Sequence, residues 1–365
     1  MKIAHVCRSL VRTAGTERFI LETSREISRR NIEIRIYTAL LNRELFVDTR
    51  TSTVERKTVV SKSPFLHFYS DLVIARHLID AASSWADAII LDFGTGAADY
   101  GWRKYDLPCV PFFHLDKYDR SLFGAFHSLV PIYTYPLRVM ESKCIRTIPL
   151  AFANSFSLAM RVRRHIKGGR LLVVPLGVDV ERYQPTWADA GFVLMAGRFH
   201  PANNFELGLR AAINIRCKLI IAGMVEERFS WYYHWLRDLV HSTPELDKRV
   251  EFMTPTDEVL LELIQKCSVF LSPRRYDYLG LAALEAMACG KPVIAYDADD
   301  DGFDSVTKCG DEVSLWREAL SSFLGDLELR KAVGKKSRAF VEHEHTIGKT
   351  VDVMLEAIKT NIGVV

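Results

Sequence analysis

Short continuous apolar runs alternate along this chain with longer stretches whose apolar residues recur every three or four positions. Ile3–Cys7 is such a run and predicts a strand; Arg8–Thr16 is polar and predicts a loop. From Glu17 to about Arg30, Phe19, Ile20, Thr23 and Ile27 share one helical face. Glu33–Thr38, Ala88–Asp92 and Cys109–Phe113 are further strands, the later ones ending in polar or glycine-rich sequence. Asn42–Ser63 is rich in Thr and charge and predicts an irregular excursion or an edge hairpin. A second series begins after Gly191: strand Phe192–Ala196, helix Phe205–Ile215, strand Lys218–Gly223, an aromatic-rich helix Arg228–Val240, then Val250–Met253 and Asp257–Cys267. Strand–helix alternation repeated in two series predicts an α/β protein with two Rossmann-like parallel sheets.

The densest stretch is Ser268–Asp297. Val269, Phe270 and Leu271 form an apolar run that stops at Pro273, and Pro292–Tyr296 forms another. Between them the helix-like run Leu279–Gly290 contains a single charge, Glu285. The two runs predict parallel strands with the middle as their crossover helix. Leu281, Leu284 and Ala288 fall on the buried face, with Glu285 at its margin. A carboxylate so close to a core is costly unless something binds it. Asp277 lies eight residues earlier, in the loop leaving the first strand. Ligands of open α/β sheets bind at such strand ends, and a helix start near Gly280 offers N–H groups to an anion or hydroxyl. The two carboxylates thus bracket one candidate ligand site; a surface or cap role for Glu285 remains open from spacing alone.

Length and composition fit this picture. The 365 residues suit two domains, and 48% hydrophobic with 25% charged residues is an ordinary globular balance. The seven cysteines (7, 109, 144, 217, 267, 289, 309) are scattered without C-x-x-C spacing, which predicts reduced thiols rather than a disulfide frame or zinc site. Met1–Cys7 runs straight into a strand without a signal peptide, and no apolar run reaches the ~20 residues of a membrane span, so a cytoplasmic location is expected. Net charge is +3 but uneven: residues 1–170 carry 26 Lys and Arg against 16 Asp and Glu, and residues 171–365 carry 22 against 29. Arg161, Arg163, Arg164, His165, Lys167 and Arg170 concentrate the excess. That stretch is either a solvated face or a peripheral contact for anionic lipid or an anionic acceptor. Without aromatic interleaving it does not favour nucleic acid.

The Ser268–Asp297 stretch resembles the Glu-x7-Glu signature of retaining glycosyltransferases of the GT-B fold, family 4. Asp277 stands where the first Glu is expected and Glu285 is the second; Leu284–Ala288, Gly290, Pro292 and Val293 match directly. Tyr278, Leu279, Gly280 and Leu281 fill the family's Phe-Gly-Leu region. Pro175-Leu176-Gly177-Val178-Asp179, followed by Tyr183 and Pro185, resembles the family's interdomain segment. The resemblance implies a domain of residues 1–172 on the acceptor side and one of residues 173–347 on the donor side. Their parallel sheets would face an interdomain cleft, and residues 348–365 would form a helix crossing back. It also implies transfer of a sugar from a UDP- or GDP-linked donor to a glycan, lipid or small-molecule acceptor, with retention, no separate cofactor and no bound metal. Asp299, Asp300 and Asp301 accordingly read as an exposed acidic loop.

Residue by residue, the resemblance gives Glu285 to the ribose hydroxyls, Asp277 to the donor sugar and Arg198 to the diphosphate. It gives Gly15, at the start of helix 1, close approach to a phosphate or sugar, with Arg8 and Arg12 in the same loop. His114, after strand Cys109–Phe113, would bind a sugar hydroxyl or assist the departing phosphate. The N–H groups of Leu279, Gly280 and Leu281 would take sugar oxygens, and Asn154 and Ser155 would line the cleft. The family's Lys five residues after that Arg is replaced here by Asn203, and its Gly by Asn204. Losing one such donor costs roughly 3–4 kcal/mol in comparable sites. Arg274 and Arg275, where the family has Ser after Pro273, are the candidate substitutes. The departures leave two alternatives: a non-catalytic nucleotide-sugar-binding or scaffold protein, and a sugar-nucleotide epimerase on the same fold.

Overall fold

In the computed structural model the apolar runs become the strands of two separate all-parallel sheets. The structure describes residues 1–11, 15–43, 52–55, 67–92, 107–113, 135–136, 139, 148–163, 169–275, 279–297 and 303–362. Two compact units result, one of residues 1–176 with 347–365, the other of residues 177–346.

The first unit holds β1 (Lys2–Leu10), α1 (Gly15–Arg29), β2 (Glu33–Leu41), β3 (Ser52–Glu55), α2 (His67–Ser83), β4 (Ala88–Asp92), β5 (Cys109–Phe113), β6 (Leu150–Ala153), α3 (Phe156–Arg163) and β7 (Arg170–Val173). Its sheet order is β3-β2-β1-β4-β5-β6-β7. Every residue of β4, β5 and β6 is buried, as expected for strands covered on both faces. Two expectations are corrected. The first strand runs on to Leu10, because Ser9 and Leu10 stay in register with Leu40 and Leu41. Within the described part of 42–63, β3 is an edge strand that pairs parallel to β2, Arg35 opposite Ser52, where a hairpin would pair antiparallel.

The second unit holds β8 (Phe192–Ala196), α4 (Phe205–Ala212), β9 (Lys218–Ala222), α5 (Ser230–His241), α6 (Pro244–Asp247), β10 (Val250–Met253), α7 (Asp257–Lys266), β11 (Val269–Ser272), α8 (Leu281–Ala288), β12 (Val293–Tyr296), β13 (Thr307–Cys309), α9 (Val313–Gly325) and α10 (Leu327–Glu344). The sheet order is β10-β9-β8-β11-β12-β13, with Phe270 opposite Val293. Helix α11 (Ile347–Ile362) returns to the first unit, where Arg30 of the α1 end bonds Asp352 and the Gly348 carbonyl.

Helix α8 corrects a burial expectation. Ala283 to Ala288 are all buried, Glu285 included at 3% exposure, while Leu281 is only half-buried. The cause is a second covering layer: α10 closes over the side of α8 away from the sheet. Gly334 makes this possible, since a Cβ there would lie 2.0 Å from the Gly290 carbonyl oxygen. Arg338 of α10 completes the seal, donating to the Ala288 carbonyl at 2.8 Å and the Tyr183 carbonyl at 2.6 Å. The six described cysteines are buried and in no disulfide.

Candidate functional site

In the second sheet the chain runs from β8 outward through β9 to β10, then returns to β11 and proceeds the other way. The strand order therefore reverses between β8 and β11. The crevice outside the carboxyl ends at such a point is where open α/β sheets bind ligands. The loop after β8 carries Gly197, Arg198, Asn203 and Asn204; the loop after β11 carries Pro273, Arg274 and Arg275 and leads to α8.

Three contacts fix these loops. Gly223, just past β9, sits so close that a Cβ there would lie 1.7 Å from the Gly197 carbonyl oxygen. Asn203 donates its amide to the Arg198 carbonyl at 2.6 Å, closing the β8 loop on itself. Asn204, held in the left-handed region at φ 50°, donates its amide to the Pro273 carbonyl at 3.1 Å. That last bond spans the switch point and is buried. Tyr232 of α5 supports the arrangement from behind. Its hydroxyl accepts from the Phe205 N–H at 3.0 Å and donates to Glu206, satisfying an orphan donor at the start of α4. Burial, followed by Glu206, pushes the Tyr232 pKa far up, so the hydroxyl keeps its proton.

The candidate residues are distributed unevenly on this frame. Arg198 is 46% exposed and pairs with Glu226 at 3.1 Å, in the loop after β9. An incoming phosphate would compete with Glu226 for it. Arg274 lies against the start of α8, its Nη1 3.9 Å from where a Gly280 Cβ would be. Gly280 occupies φ 83°, where a larger residue would be strained, and supplies no side-chain cap. The first-turn N–H groups of α8, those of Leu281 and its successors, have no intrahelical acceptor. Together with Arg274 they make an electropositive corner. Leu279 lies just before it and accepts from the Ser272 hydroxyl at 3.3 Å. Arg275 is not brought to this corner: it pairs with Asp311 at 2.7 Å and lies over the Tyr296 ring, beside β12 and β13. Glu285 sits one turn inside α8, buried; its charge and the thiol of Cys267 follow burial as causes that push the Cys289 pKa up to about 12. Asp277, the Asp299–Asp301 run, His114 and Arg12 fall outside the described residues. Among the described residues no group of His, Cys, Asp and Glu is placed to hold a metal ion.

The first sheet reverses between β1 and β4. Gly15 opens α1 there. The same sheet holds a polar chain that the sequence did not reveal. His5 on β1 bonds Asp92 at the end of β4 through Nε2, and its Nδ1 lies 3.1 Å from the Ser24 hydroxyl of α1. All three are buried, and the chain of contacts ties α1, β1 and β4 together. Asn154 and Ser155 are buried at the end of β6, where Ser155 Oγ accepts from the Leu158 N–H and caps α3.

Two doubly wound parallel units in one chain define the GT-B class of fold. The comparisons agree on the family. A family model described as Glycosyltransferase Family 4 matches residues 13–182, and one described as Glycosyl transferases group 1 matches residues 190–323. The chain belongs to these glycosyltransferases. It is 23% identical over 379 residues to D-inositol 3-phosphate glycosyltransferase of Geodermatophilus obscurus, covering 92% of this chain and 83% of that one. Sucrose-phosphate synthase from Thermosynechococcus elongatus superposes with a TM-score of 0.84 at 16% identity over 100% of both chains. Anabaena HepE in complex with UDP-glucose superposes at 0.75 and 16% identity, over 99% of this chain and 100% of that one.

Proposed function

We propose that this glycosyltransferase moves a sugar from a UDP- or GDP-linked donor to an acceptor hydroxyl with retention, without a bound metal. The observation that carries the reading is the β8–β11 switch point: Arg274 lies against the uncapped start of α8, and the loop after β8 that carries Arg198 is tied to Pro273 by Asn204, which gathers cationic and N–H donors of the kind a diphosphate needs. The UDP-glucose complex of HepE, on the same fold, supports a nucleotide sugar as ligand. In this reading Arg198 and Arg274 hold the diphosphate, Glu285 takes the ribose hydroxyls, and Asp277 and His114 serve the donor sugar. Residues 1–172 would take the acceptor side and 173–347 the donor side. The bond from the anomeric carbon to the phosphate oxygen breaks, and the new bond to the acceptor oxygen forms on the same face. The acceptor proton passes to the departing phosphate, so the protein supplies positioning and charge rather than a nucleophile.

The test is incubation with a panel of UDP- and GDP-sugars and candidate acceptors, following released nucleotide, with proton NMR of the product's anomeric centre. Release that depends on Glu285, lost in Glu285→Ala, with retained configuration, is expected. Full activity in Glu285→Ala would sink the site assignment, and an inverted product the stereochemical one.

A second reading has its own support. Asn203 spends its amide on the Arg198 carbonyl and offers no cation. A protein that binds a nucleotide sugar without turning it over would show calorimetric binding and no release with any acceptor; an epimerase would form product with no acceptor present.

For the acceptor side, α3 exposes Phe156 and Met160, at 59% and 53%, one turn apart on a helix that ends in Arg163 near exposed Arg170. Apolar side chains flanked by arginines suit peripheral contact with anionic lipid. Co-sedimentation with phosphatidylglycerol vesicles, lost on Phe156→Ser with Met160→Ser, is the expected result; equal sedimentation of both forms would refute it. No helix of the described residues is long and apolar enough to cross a membrane.

A further inference from the structure

Helix α5 carries two tryptophans on its outer face, Trp231 at 56% and Trp235 at 41% exposure. Four residues separate them, about 6 Å along the axis. Their rings are held. Trp235 stacks on Tyr232 at 5.7 Å and 24°, and Trp231 meets the same ring edge-on at 5.8 Å. Tyr232 is itself buried and fixed through its hydroxyl by the Phe205 N–H and Glu206. The indoles therefore present preorganised faces to solvent. His234 and Asp238 lie exposed on the same helical face and supply polar groups beside them.

The charge of the unit narrows what such a face can bind. Residues 177–346 contain 20 Lys and Arg against 27 Asp and Glu, a net acidic balance that does not favour anionic lipid or nucleic acid. An indole face is electron-rich and attracts polarised C–H bonds. One neutral ligand class pairs an apolar C–H face with an edge of hydroxyls: the pyranose ring. His234 and Asp238 are the partners those hydroxyls need. One turn of helix between the indoles suits two consecutive rings of a linear glycan.

We propose that Trp231 and Trp235 form a saccharide-binding platform, separate from both the donor corner and the acceptor side, that grips a neutral glycan. This rests on the reading of the chain as a transferase acting on saccharides. The two are tested apart, because the platform is read by glycan binding and the donor corner by nucleotide binding and release.

The experiment titrates the full chain with maltoheptaose, cellohexaose and chitohexaose and their disaccharides, reading tryptophan fluorescence and calorimetry. Phosphatidylcholine vesicles and sedimentation equilibrium serve as competing arms. At least one long oligosaccharide should bind more tightly than its disaccharide. Its affinity should fall tenfold or more in Trp231→Ala and in Trp235→Ala and be largely kept in Trp231→Phe, with binding of UDP or GDP, whichever the unchanged chain takes, within twofold of its value. Melting curves accompany each variant; Trp231→Ala, whose ring makes only an edge contact, decides the matter if Trp235→Ala melts early. Three outcomes overturn the proposal: no binding of any of the three sugars, sugar binding indifferent to both substitutions, or substitutions that abolish only vesicle binding or self-association. If neither UDP nor GDP binds while the glycan binds, the donor reading fails and the platform stands.

Discussion

Gly223→Ala tests whether the loop carrying Arg198 is positioned by a single close backbone approach. The added Cβ would lie 1.7 Å from the Gly197 carbonyl oxygen and 2.8 Å from its carbonyl carbon. Carbon and carbonyl oxygen in contact settle at about 3.3–3.6 Å, so the β8 loop and the end of β9 must part by roughly 1.5 Å. Neither atom belongs to a flexible side chain, and the Gly223 N–H is bonded to the Met253 carbonyl at 2.8 Å, which resists retreat on that side. The β8 loop therefore moves, with Arg198 and the Asn203 bond that closes it. Overpacking of this kind costs about 1–3 kcal/mol, and each kcal/mol lowers Tm by about 2–4 °C in a unit this size. A misplacement near 1 Å at a positioning group costs on the order of 10²-fold in rate. The assay is kcat/KM for released nucleotide beside a thermal melt, with Gly325→Ala as control, since nothing lies within 4 Å of a Cβ there. The control should change stability by no more than about 0.5 kcal/mol and leave activity alone. A folded Gly223→Ala protein with kcat/KM within twofold of the unchanged chain would refute the positioning argument.

Further predictions concern single contacts. Arg274→Ala should lower kcat/KM by about 10²–10³ as a preorganised cation is lost, whereas Asn203→Ala, which removes one hydrogen bond worth about 0.5–1.5 kcal/mol, should cost less than about tenfold. The reverse ranking in the same release assay would show that Arg274 does not stand in for the missing Lys. Asn204→Ala loses both the bond to Pro273 and a residue tolerant of φ 50°, and should destabilise by about 2–3 kcal/mol in denaturant melts; a loss under about 0.5 kcal/mol would contradict the proposed tie. Asp189 gives a pH signature. Burial opposes its charge, but hydrogen bonds from Ser268 at 2.5 Å, Arg330 at 2.7 Å and the Gly191 N–H at 3.1 Å outweigh that and hold its pKa below the ordinary carboxylate range. A depressed pKa contributes stability above the unfolded value, near 3.9, that is lost as pH falls through the folded one. Asp189→Asn should therefore lower stability at neutral pH and flatten its decline below about pH 4, and an unchanged acid limb would argue against the linkage.

The parallel strands were legible because strands covered on both faces are apolar without alternation; Val269–Leu271 and Val293–Tyr296 are such runs and lie in adjacent strands. The crossover helix between them was legible too, with its uncapped Gly280 start. The depth of Glu285 was not. Counting a stripe along α8 locates the sheet side but cannot show that α10, some fifty residues on, covers the other side; the contact depends on Gly334 meeting Gly290, and neither residue announces the other. The frame of the donor corner escaped for the same reason. Gly223 follows an apolar run like many loop glycines, and only the fold reveals the Gly197 carbonyl opposite it. Asn204 and Pro273 are 69 residues apart. Asn203 stood out as a departure, but its role in closing the Arg198 loop is a matter of geometry. Arg274 and Arg275 are neighbours of the same type in sequence, yet one turns to Gly280 and the other to Asp311.

The central claim is that a nucleotide sugar binds at the β8–β11 switch point, and a crystal soak with UDP-, GDP- and ADP-sugars tests it most directly. The account predicts a diphosphate within hydrogen-bond reach of Arg198, Arg274 and the N–H groups opening α8, with the ribose hydroxyls on Glu285. A nucleotide seated elsewhere, with Glu285 and Arg198 untouched, would contradict it.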